Sequence, residues 1–492
     1  MKRLIIIVLS FAWVIIAGAQ NQRDLLKEFE EFRKQSAKDY YDFRDKANAD
    51  YVEFMRQAWK EFGAEPPIPA PNSPDPPEPS IAKSGEELSS DSVPFAKVIP
   101  FVQLVTQPQP VAPISVVPVP VLPSEGTPPP DVSLFPFSFY NTDCRIRLEN
   151  KQKISLKDIS EETVADTWEV LSGDSYNATI ADCLHLREQL KLCDWGYYLL
   201  VKTIADKYYG ADHPNESVLF QVFILTQSGY KIRIARTEDR LIALMPFDHT
   251  IYTYSYLMID GSKLFVMDKG QKSTRFFVCN YSFPKEQGFS VQINSLPQLD
   301  TTSTTSRELV SARYPIKVEI KSNQNLIDFF NSCPLSSEWN LYARASLSEQ
   351  AKEQLYPVLK EAINGKSMPE AADMLLNFVQ TAFVYQIDED QFGYERPLFG
   401  DETLYYSGSN CKDRAILFSI LVDELLNLDV VFLNYPGHLA TAVCFDENVE
   451  GNYLMVDGRK YIVCDPTYVG ATIGQEMPVV KNTKPKVMKI WK

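Results

Sequence analysis

The chain has 492 residues, 45% of them hydrophobic, and carries a formal net charge of −15 at pH 7. A chain of this length can form about two to three domains with substantial cores. Because it is acidic and has no dense block of Lys and Arg, we expect neither nucleic acid nor an anionic membrane surface as a partner.

The first 19 residues have the pattern of a signal peptide. Basic Lys2 and Arg3 precede an apolar run, and the small residues Ala17 and Ala19 mark a cleavage site before Gln20. The residue directly after that site is not a cysteine, which argues against a lipoprotein anchor, and no second apolar run is long enough to cross a bilayer. We expect an exported protein, periplasmic or extracellular, without stable membrane insertion after cleavage.

Residues 20–62 are predicted to form one amphipathic helix. Copies of an eleven-residue unit start at Phe29, Tyr40 and Tyr51, and each places its aromatic residues on the same helical face. Such a face needs a partner surface. It can pack against its own chain, or residues 22–62 can mediate self-association or docking to another component of the cell envelope.

Residues 63–134 are predicted to be a proline-rich linker. They hold 19 of the 33 prolines, a composition that favours an extended, semi-rigid spacer over a packed domain. The stretch VPFAKVIPFVQLV is more apolar than a free linker and is expected to lie against the globular part.

The rest of the chain is globular and contains an internal repeat. Residues 256–268, YLMIDGSKLFVMD, match residues 453–465, YLMVDGRKYIVCD, at eight of thirteen positions. The apolar pattern upstream of both segments also matches, so we predict two related domains over 135–300 and 301–492. The alternative is a chance likeness between two strand-turn-strand hairpins.

Three residues of the second domain have the types and positions that thiol chemistry needs. Asn410 is predicted to cap a helix that begins at Cys411, where the helix N-terminus favours a thiolate. His438 opens a predicted strand after a Pro-Gly pair, and Asp465 ends the next strand. A nucleophile, a base and an orienting carboxylate can together activate a thiol, although each of these residues alone is more often structural.

The segments around these three residues resemble the transglutaminase-like superfamily, a branch of the papain-like fold. The matching pieces are NC-x-D-x-A, GH-x-x-x-x-V and DPT, and the resemblance covers Met368–Pro478. It implies an α+β fold with two tandem transglutaminase-like (papain-like) domains, preceded by the long N-terminal helix and the proline-rich spacer.

The resemblance also implies a role for each residue. Cys411 would be the nucleophile, His438 the general base and acid, and Asp465 the orienting group. The oxyanion hole would include the backbone N–H of Cys411 and a second donor, for which the candidates are Tyr405, Tyr406 and Asn410.

The first domain lacks this chemistry in the aligned positions. His213, Arg240 and Asp268 stand opposite the nucleophile, the base and the orienting carboxylate. Without a nucleophile and a base, the first domain cannot catalyse thiol-dependent chemistry. We therefore expect a degenerate domain with a structural or substrate-binding role.

An insert without counterpart in the first domain, QIDEDQFGYERPLFGDETLYYSGSN, runs directly into Cys411. Its aromatic and acidic residues, including Tyr394, Phe399 and Tyr405, are expected to line the active-site cleft. The alternative is an ordinary surface loop.

Cysteine and histidine usage argues against a metal site. The eight cysteines are widely spaced without a CxxC pair, and none of the four histidines stands at metal-ligand spacing from a cysteine or another histidine. We expect no metal and no cofactor, and we expect most cysteines to pack as small hydrophobic side chains.

Thiolate attack on a carboxamide gives a thioester, which water or an amine then resolves. For an exported chain with this resemblance, we expect a cysteine-dependent amide or peptide hydrolase that acts on peptide or protein amides. The alternatives are a transamidating, cross-linking transglutaminase and a non-catalytic binding or assembly protein of the cell envelope on the same scaffold.

Overall fold

The computed structural model describes residues 31, 35, 38–70, 98–99 and 134–490. Within these residues the chain is a mixed α+β protein, as the sequence predicts. The predicted signal peptide and most of the proline-rich linker lie outside the described residues.

The N-terminal segment differs from its prediction near its end. Helix α1 covers 38–55, and Lys60–Gly63 form strand β1 instead of further helical turns. This strand pairs antiparallel with the edge of a sheet, with Phe62 opposite Phe276. Because the sheet edge supplies backbone partners for it, the prediction of one helix over 20–62 is wrong for these last residues.

Helix α1 packs against its own chain. The ring of Tyr51 lies edge-on to Trp168 with 4.8 Å between centroids, and Asn48 Oδ1 accepts a hydrogen bond from the Trp168 indole at 3.2 Å. Phe43, which belongs to the predicted aromatic stripe, is 54% exposed. Self-association or envelope docking through 22–62 stays a prediction.

Strand β2 (Val98–Ile99) is the described part of the apolar stretch within the proline-rich linker. It pairs in parallel with Tyr453 and Leu454 at the edge of a second sheet. This pairing places the short piece against the globular part of the chain.

The first globular unit consists of a hairpin, four helices and five strands, and its β5–β9 sheet is extended by β1. Its elements are β3 (Leu134–Phe139), β4 (Thr142–Arg147), α2 (Glu161–Leu171), α3 (Asn177–Gln189), α4 (Asp194–Tyr209), α5 (Pro214–Gln227), β5 (Arg233–Arg236), β6 (Leu241–Met245), β7 (Tyr256–Ile259), β8 (Ser262–Val266) and β9 (Arg275–Cys279). The antiparallel sheet has the order β1-β9-β5-β6-β8-β7. Helix α5 is buried along most of its length and contacts β5 and β6.

The second globular unit has more helices before its sheet. Its elements are β10 (Arg307–Val310), β11 (Lys317–Ile320), α6 (Gln324–Ser332), α7 (Asn340–Ala343), α8 (Glu349–Ile363), α9 (Met368–Thr381), β12 (Val384–Tyr385), α10 (Asp388–Phe392), α11 (Gly400–Tyr405), β13 (Gly408–Ser409), α12 (Cys411–Leu426), β14 (Val430–Tyr435), β15 (His438–Cys444), β16 (Tyr453–Val456), β17 (Arg459–Cys464) and β18 (Lys486–Lys489). The main sheet has the order β18-β14-β15-β17-β16-β2. Helix α12 contacts β14 and β15 and packs on α9 and α11.

Both units fold the repeated sequence in the same way. A buried helix is followed by five strands, and in each sheet these strands lie in the order fifth, first, second, fourth, third. The matched hairpins turn at Asp260–Gly261 and at Asp457–Gly458, where all four residues have positive φ, as a two-residue type I′ turn requires. The repeat in the sequence is therefore a repeat of topology.

Candidate active site

The second unit places the candidate nucleophile at the start of helix α12. Asn410 Oδ1 accepts the backbone N–H of Lys412 at 3.2 Å, and Asp413 Oδ2 accepts that of Asn410 at 2.9 Å. The Asn410 side chain also accepts the backbone N–H of Asp413, and this bond together with the Asn410 N–H bond to Asp413 forms a capping box, so Cys411 is the first helical residue, as predicted. The helix dipole at this end favours negative charge.

His438 and Asp465 meet because two neighbouring strands end at the same place. His438 opens β15 after a tight turn in which Gly437 has a φ of 73°, and Asp465 directly follows β17. Since β15 pairs with β17, the two side chains come together, with His438 Nε2 at 2.8 Å from Asp465 Oδ2.

The carboxylate of this pair is held firmly in place. Asp465 Oδ1 accepts the backbone N–H groups of Thr467 at 2.9 Å and Tyr468 at 3.2 Å. Gln380, near the end of α9, donates to the backbone carbonyl of Asp465 at 3.0 Å. These bonds leave Oδ2 directed to the imidazole.

The thiol lies beside the same imidazole. Burial lowers the pKa of His438, but the Asp465 carboxylate and then the Cys411 thiol raise it more, to about 10. Nδ1 of His438 meets no partner at hydrogen-bonding geometry among the described residues. Because Nε2 is taken by the carboxylate, Nδ1 is the ring nitrogen that remains for a further hydrogen bond.

A buried lysine at the start of α12 forms ion pairs with two carboxylates of the insert, residues 386–410. Lys412 Nζ is fully buried, pairs with the carboxylate of Asp388 and lies 2.9 Å from Glu395 Oε1. Asp388 Oδ1 also accepts a hydrogen bond from Asn410 Nδ2 at 2.7 Å. Since buried charges persist only when they are paired, these contacts hold residues 388–395 against the first turn of the helix.

The rest of the insert is also built into the interior. Arg396 and Glu402 form a buried ion pair, and Phe399 stacks on Phe330 with 4.5 Å between ring centroids. Tyr394 is 51% exposed. The insert is therefore no ordinary surface loop, although Phe399 belongs to the hydrophobic core.

The three predicted oxyanion donors have their side chains engaged elsewhere. The hydroxyl of Tyr405 donates to Gln324 Oε1 at 3.2 Å, and that of Tyr406 donates to Asn331 Oδ1 at 3.0 Å. The amide of Asn410 donates to a carboxylate of the insert, as described above. Their role in an oxyanion hole stays a prediction.

Sequence reasoning missed Tyr385, which ends β12. This strand pairs in parallel with β13, with Tyr385 opposite Ser409, two residues before Cys411. The Tyr385 hydroxyl is buried and meets no hydrogen-bond partner among the residues that the structure describes. One aromatic residue at the end of an apolar run is not a specific signal, so the sequence alone could not single it out.

The first unit holds its aligned residues in a matching layout with different chemistry. His213 immediately precedes helix α5, its side chain is 56% exposed, and its Nδ1 lies 3.4 Å from Glu216 Oε1. Arg240 Nη1 lies 3.2 Å from Asp268 Oδ2, where the second unit has its histidine and carboxylate. An arginine at neutral pH cannot accept a proton, so Arg240 cannot take the place of the histidine as a base.

The candidate site is closed to solvent. Cys411 is 0%, His438 5% and Asp465 1% exposed. A substrate can reach the sulfur only after part of the surrounding structure moves.

Comparison with protein-family models, with curated proteins and with solved structures finds no match. Within the described ranges, no helix has the length and apolarity to cross a bilayer. The same ranges contain no group of three or more His, Cys, Asp or Glu side chains that could hold a metal ion. The geometry of the site itself therefore carries the functional proposal.

Proposed function

We propose that the chain is an exported cysteine-dependent amide or peptide hydrolase, built from two tandem transglutaminase-like units of which the second is catalytic. The observation that carries the proposal is the 2.8 Å contact between His438 Nε2 and Asp465 Oδ2, beside the thiol of Cys411 at a helix start. Buried together, these groups have the arrangement that activates a nucleophile.

In the proposed reaction, His438 Nδ1 takes the proton of Cys411, and the thiolate attacks the carbonyl carbon of the amide. The resulting oxyanion collapses, the C–N bond breaks, and the imidazolium gives its proton to the leaving amine. Water then attacks the thioester with His438 as base, which releases the acid and restores the thiol. Asp465 keeps the imidazole oriented and favours its charged form.

The layout of the first unit supports the tandem arrangement. It has the same strand order as the second unit, and Arg240 and Asp268 pair where the second unit has its histidine and carboxylate. A duplicated unit that lost its nucleophile and base accounts for both observations.

Selective alkylation tests the nucleophile. We expect iodoacetamide to modify Cys411 at pH 6.5 much faster than Cys464, because both residues are fully buried but only Cys411 lies beside an imidazole. Mass spectrometry of the peptides gives both rates in one sample. His438→Gln should slow the Cys411 rate at least tenfold and leave the Cys464 rate unchanged; equal rates in the wild-type chain would contradict the proposal.

Incubation with a mixture of peptides and a fluorescent primary amine such as dansylcadaverine distinguishes hydrolysis of the thioester from transamidation. Hydrolysis releases new carboxylates or ammonia, whereas transamidation incorporates the amine into the peptide. Either reaction must disappear in Cys411→Ala. We expect hydrolysis to dominate even when the amine is present.

A non-catalytic binding or assembly role is the second candidate, and the complete burial of Cys411 favours it. In that role the His438–Asp465 pair only stabilises the fold. Absence of turnover, together with an unreactive Cys411, would support the non-catalytic role and contradict the proposed hydrolase.

A further inference from the structure

The proposed reaction leaves one requirement of the site unmet. A tetrahedral oxyanion needs at least two donors aimed at it, and the backbone N–H of Cys411 supplies one. The side chains of Tyr405, Tyr406 and Asn410 donate their hydrogen bonds to other residues. The second donor is thus to be sought among buried donors near Cys411 that have no partner.

Tyr385 is such a donor. Its backbone lies in register with Ser409, and the next residue, Gln386, donates its N–H to the Ser409 carbonyl at 3.2 Å. This pairing fixes the strand beside the residues that lead into Cys411. The Tyr385 hydroxyl is buried without a partner among the described residues, a state that costs free energy unless a ligand completes it.

The ring of Tyr385 is held against the first turn of α12. The guanidinium of Arg414, three residues after Cys411, lies 5.6 Å from the centre of this ring. Arg414 is itself fixed, since it donates to the carbonyl oxygens of Gln380 at 3.1 Å and Phe383 at 2.8 Å. The phenol therefore sits in a rigid frame on the helix that carries the sulfur.

We propose that the Tyr385 hydroxyl is the second oxyanion donor of this site. The inference rests on the proposed function and adds a catalytic residue to it. Burial, and next the charge of Cys411, raise the pKa of Tyr385 well above its ordinary value, so the hydroxyl keeps its proton while negative charge develops nearby. A fixed donor that is shielded from solvent acts on the transition state without prior reorganisation.

Two small reagents separate an oxyanion donor from a residue that only activates the sulfur. p-Nitrophenyl acetate acetylates the thiolate through a tetrahedral oxyanion: a C–S bond forms, the C–O bond breaks and p-nitrophenolate leaves. Iodoacetamide alkylates the same thiolate by direct displacement of iodide and forms no oxyanion. The ratio of the two rates therefore reports the oxyanion hole alone.

The test uses the full chain with Tyr385→Phe, and Tyr356→Phe as the matched control, whose hydroxyl donates to Glu424 Oε2 at 2.8 Å near the other end of α12. We expect Tyr385→Phe to lower the acetylation rate about 10²- to 10³-fold and to change alkylation less than twofold. The melting temperature should not fall, because the lost hydroxyl had no partner. The control should change neither rate more than about twofold.

The outcomes are distinct. Unchanged acetylation in Tyr385→Phe overturns this inference and leaves the nucleophile intact. Equal losses in both reactions also overturn it, since Tyr385 would then act on the sulfur or on the fold. If neither reagent modifies Cys411 in the wild-type chain, the proposed function fails first and this inference fails with it.

Discussion

At the scale of single residues, the site depends on the surroundings of one imidazole. His438 is 5% exposed, and burial alone would keep its ring neutral. The carboxylate 2.8 Å from Nε2 reverses that preference, and the thiol beside the ring adds to it. The surroundings therefore favour the protonated imidazole of His438 in a site that is closed to solvent.

This reversal predicts how stability depends on pH. The folded pKa of His438 is raised to about 10, whereas an unfolded histidine titrates near about 6.5. The extra proton affinity of the folded chain therefore stabilises it fully below about pH 6.5 and is lost as the pH rises toward 10. The free energy of unfolding should fall by up to about 1.4 kcal/mol per pH unit across this window.

The measurement is urea unfolding of the wild-type chain and of His438→Gln at several pH values from 6 to 10.5. The difference between the two should be largest at pH 6 and smallest at pH 10.5. A difference that does not vary with pH would mean that the ring titrates normally or is neutral throughout.

Replacement of the orienting carboxylate tests the same pair from the other side. Asp465→Asn keeps the shape of the side chain but removes the charge that raises the pKa of His438. We expect alkylation of Cys411 at pH 6.5 to slow at least tenfold and turnover to fall further, while the circular dichroism spectrum stays unchanged. Wild-type rates in this variant would remove Asp465 from the mechanism.

At the scale of elements, the start of α12 is held by charges that have almost no access to water. Lys412→Met leaves Asp388 and Glu395 buried without this cation, so we expect a loss of about 3–5 kcal/mol in the free energy of unfolding. Denaturant titration of the wild-type chain and the variant measures it.

A lysine on the surface provides the control for this experiment. Lys489 pairs with Asp457, but both side chains are about half exposed, so Lys489→Met should cost about 0–1 kcal/mol. A similar small cost in Lys412→Met would show that the insert is not anchored by these charges.

The same elements show what the sequence can and cannot predict. The capped start of α12, the strand that opens at His438 and the Asp-Gly turns follow from local patterns, and the structure has them all. Strand β1 and the buried partners of Lys412 depend on contacts between distant segments. Local periodicity carries no information on such contacts, and for that reason the prediction extended the first helix too far and missed Tyr385.

At the scale of the whole molecule, two units of the same topology differ in one decisive chemical property. Each places a charged or polar pair at the corresponding ends of two strands, but only the pair in the second unit contains an imidazole, which can both accept and donate a proton. Under the proposed function, the first unit kept the strand order of the second and lost its chemistry.

The proposed division of labour between the two units predicts an asymmetric response to matched substitutions. Arg240→Ala removes one member of a partly exposed ion pair, so it should change stability by about 0–1 kcal/mol and leave turnover of a peptide substrate unchanged. His438→Ala, at the corresponding position, should abolish turnover. Turnover assays and thermal unfolding of both variants give the comparison. If Arg240→Ala lowers kcat with the fold intact, the first unit takes part in the chemistry, which would contradict a degenerate copy. If it raises KM alone, the first unit helps to bind substrate, and this result is compatible with a degenerate copy, as is unchanged turnover.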